Sequence, residues 1–178
     1  MPVRRYSEYR LLESTGNENP IIRYVSEIAR ISSGAGKDYY SQMLNDIKPI
    51  ECRPLREVFT DDEIERIRRA VHPKTKACYE NAFHFSSRLG ELGREILYCE
   101  GFVTVFGLPI EHAFNKVDGV YVDITLELAL GDDIAGRDYA VLGEWTGSKA
   151  LAVMAREGYY GEVYRQEFFE RYKENVKR

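Results

Sequence analysis

Apolar residues near the middle of the chain recur at intervals of four and three. This spacing places them on one face of a helix. We therefore predict a helix over residues 76–92, with Gly93 after its end. The residues of the apolar face are Cys78, Ala82, Phe85, Leu89 and Leu92.

An earlier helix is marked at both ends. Thr60 and Glu63 have the spacing of a capping box, in which two side chains satisfy free backbone N–H groups at the start of a helix. The helix is expected to continue to about Val71. It should end there because His72 precedes Pro73, and the residue before a proline is pushed out of the helical region.

The N-terminal part of the chain is polar and helical in character. Its pattern predicts one helix over Pro20–Ile31 and another over residues 38–47, separated by a segment rich in Ser and Gly. Pro49 and Pro54 are expected to lie in an irregular connection.

After Gly93 the pattern changes to runs typical of strands. Asp118-Gly119 lies between two of these runs and favours a hairpin with a two-residue loop. The predicted strands are residues 95–106, 108–117 and 120–128, and residues 138–143 add a fourth.

Two closing helices are predicted over residues 148–157 and 162–177. Helices, then a meander of strands, then helices again indicate an α+β fold. A chain of 178 residues is expected to form one domain. We divide that domain, residues 1–178, into a helical N-terminal extension (1–59), a core (60–145) and C-terminal helices (146–178).

Composition narrows the classes of function. Hydrophobic residues make up 44% and charged residues 30% of the chain, and the net charge is −4. This balance argues against broad nucleic-acid binding, which usually requires a basic surface. No run approaches the roughly 18 apolar residues of a membrane span, and the first residues do not resemble a secretory signal. Three cysteines are too few for a disulfide framework, so we expect a reducing, cytoplasmic setting.

Cys78 is a candidate nucleophile. It falls in the first turn of its predicted helix, where free N–H groups and the helix dipole favour a thiolate. Lys74 and Lys76 add positive charge nearby. The alternative is a buried core thiol, because Cys78 also begins the apolar face of the helix.

His112 and Asp123 are candidate partners for this thiol. With a two-residue loop at Asp118-Gly119, Phe114 would pair with Asp123 and His112 with Thr125. His112 and Asp123 would then be diagonal neighbours on one face of the sheet, within reach of each other. A base and the carboxylate that orients it require this arrangement. Taken singly, each residue also has a structural explanation.

Residues 77–125 resemble the transglutaminase-like branch of the papain-like cysteine enzymes. The resemblance lies in Cys78-Tyr-Glu-Asn-Ala82, in Ile110-Glu-His-Ala-Phe114 and in Val122-Asp-Ile-Thr125. With Tyr98-Cys-Glu-Gly101, these motifs are similar to those of small uncharacterised phage and bacterial proteins of this type. The resemblance implies a nucleophile helix packed on a small antiparallel sheet, with His and Asp on adjacent strands. The N- and C-terminal helices would be additions to that core.

The sequence departs from the family pattern at several positions. Phe114 stands where Trp is usual and Ile124 where Pro is usual, and neither of the two glutamines, Gln42 and Gln166, shortly precedes the Cys. In papain-like enzymes such a Gln often stabilises the oxyanion, so another donor is needed beside the Cys78 N–H. Candidate residues for oxyanion or substrate contacts are His72, Tyr79, Asn81 and Glu100.

The resemblance implies hydrolysis or transfer at an amide or isopeptide bond, as in a peptidase, an amidase or a transglutaminase. A protein or peptide substrate is expected and a small amide is an alternative, with no metal and no organic cofactor. A zinc site at His72, Cys78 and His84 is disfavoured, because the last two are six positions apart on one helix and point to roughly opposite sides. The alternative function is an inactive protein–protein interaction module on the same fold, which the aromatic C-terminal helix would favour. Residues 127–145 are expected to form a lid or specificity loop.

Overall fold

An antiparallel sheet organises the part of the chain that the computed structural model describes, residues 19–88 and 93–176. Within these residues the sheet has five strands in the order β1-β5-β2-β3-β4. The two long central strands, β2 and β3, carry most of the sheet. The strands are β1 (Lys48–Ile50), β2 (Ile96–Val105), β3 (Leu108–Val117), β4 (Val120–Val122) and β5 (Tyr139–Thr146).

Helices surround this sheet and account for the rest of the regular structure, so the predicted α+β class is confirmed. The helices are α1 (Pro20–Ile31), α2 (Gly34–Asp46), α3 (Leu55–Val58), α4 (Asp61–Val71), α5 (Cys78–Arg88), α6 (Gly147–Glu157) and α7 (Val163–Val176). A short π-helix occupies Thr125–Ala129. No helix in the described ranges has both the length and the apolar character needed to cross a membrane.

The N-terminal elements follow the prediction in part. The predicted bounds of α1 are confirmed, and its N-terminus is capped by the Asn19 side chain, which accepts hydrogen bonds from two backbone N–H groups. Helix α2 begins at Gly34, four residues before the predicted start. The connection after α2 is not irregular, because it contains β1 and α3. Strand β1 forms by pairing with β5, a partner about ninety residues away that local sequence does not reveal. Residues 1–18 of the predicted helical extension lie outside the described residues.

The ends of the central helices agree with the sequence signals. The capping box of Thr60 and Glu63 is present at the start of α4, and His72 ends this helix in a left-handed conformation. Helix α5 begins at Cys78, two residues after the predicted start. The predicted ends at Leu92 and Lys177 lie outside the described residues.

Two tight hairpins connect the central strands. Phe106-Gly107 joins β2 to β3, and Asp118-Gly119 joins β3 to β4, with positive φ at all four residues. The predicted pairing of Val117 with Val120 is confirmed. Strand β4 then stops after three residues, so the predicted pairs of Phe114 with Asp123 and of His112 with Thr125 do not form.

The π-helix replaces the predicted strand after Val122. The Asp123 carboxylate accepts hydrogen bonds from the backbone N–H groups of Thr125 and Leu126, both at 3.0 Å. An Asp side chain that caps a helical turn in this way competes with strand pairing. The chain therefore leaves the edge of β3 at Asp123.

The two faces of β3 pack against different parts of the core. Ala113 faces the larger apolar cluster, which includes Ala82 of α5. Phe114 faces a smaller cluster on the other side of the sheet. Asn115 connects α5 to the sheet, because its side-chain amide donates to Ala82 O and Leu97 O at 2.9 and 3.0 Å.

Candidate active site

Cys78 is the first residue of α5. The first intrahelical bond runs from Asn81 N to Ala77 O at 2.8 Å, so the N–H groups of the first turn have no acceptor within the helix. This placement agrees with the prediction that the thiol lies at the positive end of a helix. The contribution expected from Lys74 is smaller, because its ammonium group pairs with Glu80 at 2.8 Å.

The segment before α5 is fixed by Asn81. Its side chain accepts from Lys74 N at 3.0 Å and donates to Lys74 O at 2.8 Å. The amide also donates to Thr125 Oγ1 at 3.1 Å. Both amide hydrogens of this buried residue are therefore used, and Asn81 is not available as an oxyanion donor. Its role is to hold the Cys78 loop against the π-helix.

His112 and Asp123 form a buried pair. The His112 Nε2 and Asp123 Oδ2 atoms are 2.7 Å apart, and the two residues are 4% and 0% exposed. Since Nε2 is occupied by the carboxylate, Nδ1 is the ring nitrogen that can interact with Cys78. The structure thus brings His112 and Asp123 together, although Asp123 lies at the start of a π-helix and not in a strand.

Asp123 is held by several donors besides the imidazole. Tyr139 donates its hydroxyl to Oδ2 at 3.0 Å, and the two backbone N–H groups of the π-helix donate to Oδ1. Burial alone would raise the pKa of Asp123, but the charge and hydrogen bond of His112, with these donors, lower it. Asp123 therefore stays ionised. The Tyr139 contact was not predicted, because it depends on the register of β5 beside β2.

The Cys78 thiol lies beside His112 and the backbone N–H of Ala113. Burial favours the neutral thiol, yet the hydrogen bond and positive charge of His112, with the Ala113 N–H, lower the pKa of Cys78 below that of a free thiol. Burial opposes the charged form of His112 too, but Asp123 and Cys78 raise the pKa of the imidazole. Both pKa shifts favour a Cys78 thiolate paired with a His112 imidazolium.

The other two cysteines differ from Cys78. Cys52 and Cys99 are buried in the apolar cluster that also contains Phe114. Burial is the main cause that raises the pKa of each thiol well above its ordinary value. Cys52 and Cys99 therefore pack in the core, and the three thiols provide an internal comparison.

Glu100, a candidate for oxyanion or substrate contacts, is a buried carboxylate. It accepts from Val163 N at 2.9 Å and from Tyr164 N at 3.0 Å. Tyr98 donates a third hydrogen bond at 2.6 Å. Glu100, which belongs to β2, therefore caps the start of α7.

Tyr79 and His72 occupy different surroundings. The half-buried Tyr79 ring packs on Gly161, where an added Cβ atom would lie 2.5 Å from the ring. Burial, with nearby carboxylates, raises the pKa of the Tyr79 phenol. His72 is exposed at the end of α4. Tyr79 therefore remains a candidate for contacts near Cys78, whereas the role of His72 is to end α4.

The predicted lid region is mostly regular structure. The end of the π-helix and most of β5 lie within residues 127–145, which leaves a connection of residues 130–138. Arg137 anchors this connection, because its guanidinium donates to Asp133 O at 2.9 Å and to Thr104 O at 3.2 Å. Buried Ile134 fixes it from the inside.

Neither the arrangement of possible metal ligands nor the comparisons with known proteins identifies this site further. Within residues 19–88 and 93–176, no group of three or more His, Cys, Asp or Glu side chains could hold a metal ion. Comparison of the chain with protein-family models, curated proteins and solved structures found no match. The resemblance to transglutaminase-like enzymes therefore rests on the sequence motifs.

Proposed function

We propose that this protein is a cysteine-dependent acyl-group enzyme that acts on an amide or isopeptide bond. The observation that carries the proposal is the position of His112 between the Cys78 thiol and the buried Asp123 carboxylate. A thiol, a base and a carboxylate that orients the base are the parts that nucleophilic catalysis requires. The order of these residues along the chain supports a transglutaminase-like core.

The chemistry follows from the ion pair. The Cys78 sulfur forms a bond to the carbonyl carbon of the substrate, and the C=O electrons move to the oxygen, which the free N–H of Cys78 can stabilise. When the C–N bond breaks, the amine leaves with the proton of His112. Water or a second amine, deprotonated by His112, then attacks the thioester and releases the thiolate. Asp123 keeps the ring in the tautomer that this proton transfer needs.

Alkylation by iodoacetamide across pH tests the proposal. Cys78 should react with a midpoint below the ~8.5 of a free thiol and much faster than Cys52 and Cys99, which are controls in the same sample. The sites are separated by mass spectrometry of peptides. A His112→Asn variant should move the Cys78 midpoint upward. An inert Cys78, or one with an ordinary midpoint, would instead favour the interaction module.

A further inference from the structure

The N-terminal half of β3 has an open edge in the described part of the chain. Strand β4 pairs only with Asn115–Val117, so residues 108–114 have β2 on one side and no described strand on the other. Val105 and Leu108 close a two-residue turn. The backbone N–H and C=O groups of even-numbered residues in β3 therefore bond to β2, and those of odd-numbered residues point to the outer edge. Pro109 fits this register, since a proline is tolerated where its nitrogen faces away from a partner strand.

The open edge leads to the thiol. The backbone N–H of Ala113 points to this edge and hydrogen-bonds to Cys78. The next outward-facing groups are the N–H and C=O of Glu111 and the C=O of Pro109, which continue the line at about 6.6 Å per two residues. A chain paired with these groups would therefore run directly into Cys78.

Exposed apolar side chains flank the edge on the face of β3 that bears His112. Leu108 and Ile110 precede His112 at alternate positions and are 68% and 42% exposed, and Phe106 in the turn is 76% exposed. Phe106 has a φ of 51°, in the left-handed region that a bulky residue rarely adopts. Strain of this kind is often retained at binding sites.

The opposite face of the edge is acidic. Glu111 lies there in a narrow cleft that is also lined by Glu162 and Arg165, while the third carboxylate of the cleft, Glu100, is engaged by α7. A basic side chain would complement this charge. The charged residues of the cleft are Glu100, Glu111, Glu162 and Arg165.

We propose that an extended segment of a peptide or protein substrate pairs antiparallel with the outer edge of β3 at Pro109–Ala113, where β4 would have continued. Its alternate side chains are apolar over Leu108 and Ile110 and basic beside Glu111, and its backbone delivers an amide carbonyl to Cys78. This is recognition by strand addition, in which main-chain bonds give affinity and alternate side chains give selectivity. The assignment of the segment as substrate rests on the proposed function.

The probe is the fluorescein-labelled peptide Leu-Lys-Leu-Lys-Leu-amide, titrated by anisotropy against the full chain carrying Cys78→Ala. We expect binding at least roughly tenfold tighter than that of the same residues ordered Leu-Leu-Leu-Lys-Lys. In an antiparallel pair, residues opposite Glu111 turn their N–H toward β3. Methylating the Lys amide nitrogens should therefore abolish binding, and methylating those of the inner Leu should not.

Variants locate the site. Ile110→Ser should weaken binding roughly tenfold, and Leu151→Ser, at a similarly exposed apolar position on α6, should leave it unchanged. Bound peptide should also slow hydrogen exchange at the Glu111 amide. Equal affinity for the two peptides, or indifference to Lys N-methylation, would overturn the proposal. Because this protein lacks the thiol, the result is separate from iodoacetamide reactivity: edge binding can fail while Cys78 is activated, and the reverse.

Discussion

At the scale of single residues, Asp123 has two roles. Its Oδ1 atom caps the π-helix, and its Oδ2 atom accepts from the imidazole of His112 and the hydroxyl of Tyr139. The same carboxylate therefore determines where the chain leaves the sheet and how the imidazole is charged. The charge of Asp123 raises the pKa of Cys78 directly, but this effect is smaller than the lowering by His112, whose positive charge Asp123 stabilises.

Asp123→Asn should raise the pKa of the Cys78 thiol. Without the negative charge the imidazolium is less stable, and the cation that lowers the thiol pKa is lost. The midpoint of the pH profile of Cys78 alkylation should move upward by roughly one unit or more. Tyr139→Phe keeps the carboxylate and removes only one donor, so its shift should be smaller. Equal shifts for both variants would contradict the role given to the charge.

Phe106→Asn should stabilise the protein. The left-handed conformation costs a non-glycine residue about 1–2 kcal/mol, and Asn tolerates it better than other residues. Phe106 is largely exposed, so we expect the free energy of unfolding in urea to rise by about 0.5–1 kcal/mol. Phe106→Ala is the matched control, because it removes the ring and keeps the unfavourable conformation. A gain in both variants would mean that the ring itself is destabilising.

At the scale of elements, the π-helix carries a second carboxylate, Glu127, which contacts the start of α3. Glu127 accepts from the backbone N–H of Leu55 through both oxygens, at 3.1 and 3.0 Å. Burial, outweighing this hydrogen bond and reinforced by Asp123 and Asp133, raises the pKa of Glu127 to about 7. The start of α3 thus rests on a group that titrates near neutral pH.

Glu127→Gln should reduce the pH dependence of stability. Because the pKa of Glu127 is higher in the folded chain than the ~4.3 of an unfolded one, its favourable contribution is complete below the lower value. That contribution is lost as pH rises through about 7. Urea unfolding at pH 5 and pH 8 should therefore give a smaller difference in Glu127→Gln than in the wild type. Exposed Glu51 provides the control Glu51→Gln, which should retain the wild-type difference.

Turn and cap signals predicted the elements whose determinants are local. Asp118-Gly119 fixed the register of β3 and β4, and the capping box fixed the start of α4. Strand β1 and the π-helix could not be predicted in the same way. The first depends on a distant strand, and the second on side-chain bonds of Asp123 that override strand propensity.

In the candidate site, too, features with local determinants could be predicted and those with distant determinants could not. Cys78, His112 and Asp123 could be named from sequence because a helix start and a tight turn place them. The contacts of Asn81 and Glu100 could not, since their partners at residues 125 and 163–164 are distant in the chain. Both side chains proved to be structural supports.

At the scale of the whole molecule, Glu100 connects the sheet to the last helix. The carboxylate is buried between β2 and α7, and burial raises its pKa while the three donors lower it. It also caps the helix, since its oxygens receive the first N–H groups of α7. The carboxylate therefore holds α7 to β2 within one apolar cluster, which contains Tyr98, Val163 and Tyr164.

Glu100→Gln should destabilise the fold by about 2 kcal/mol, because the amide keeps one acceptor oxygen and leaves one buried backbone N–H of α7 without its acceptor. The measurement is urea unfolding followed by circular dichroism. Tyr98→Phe removes only the third donor, so it should cost less, about 1 kcal/mol. If Glu100→Gln unfolds with the wild-type free energy, the carboxylate does not hold α7 to the sheet.

The link between Glu100 and α7 also bears on how the protein is made. A growing chain that has passed β5 carries a carboxylate in β2 whose two backbone donors, at residues 163 and 164, have not yet been synthesised. Gly161, which supports the ring next to Cys78, is equally late. We therefore expect the sheet to close around Glu100 only after these residues leave the ribosome. The surroundings of the thiol would then be complete only after residues 161–164 have been synthesised.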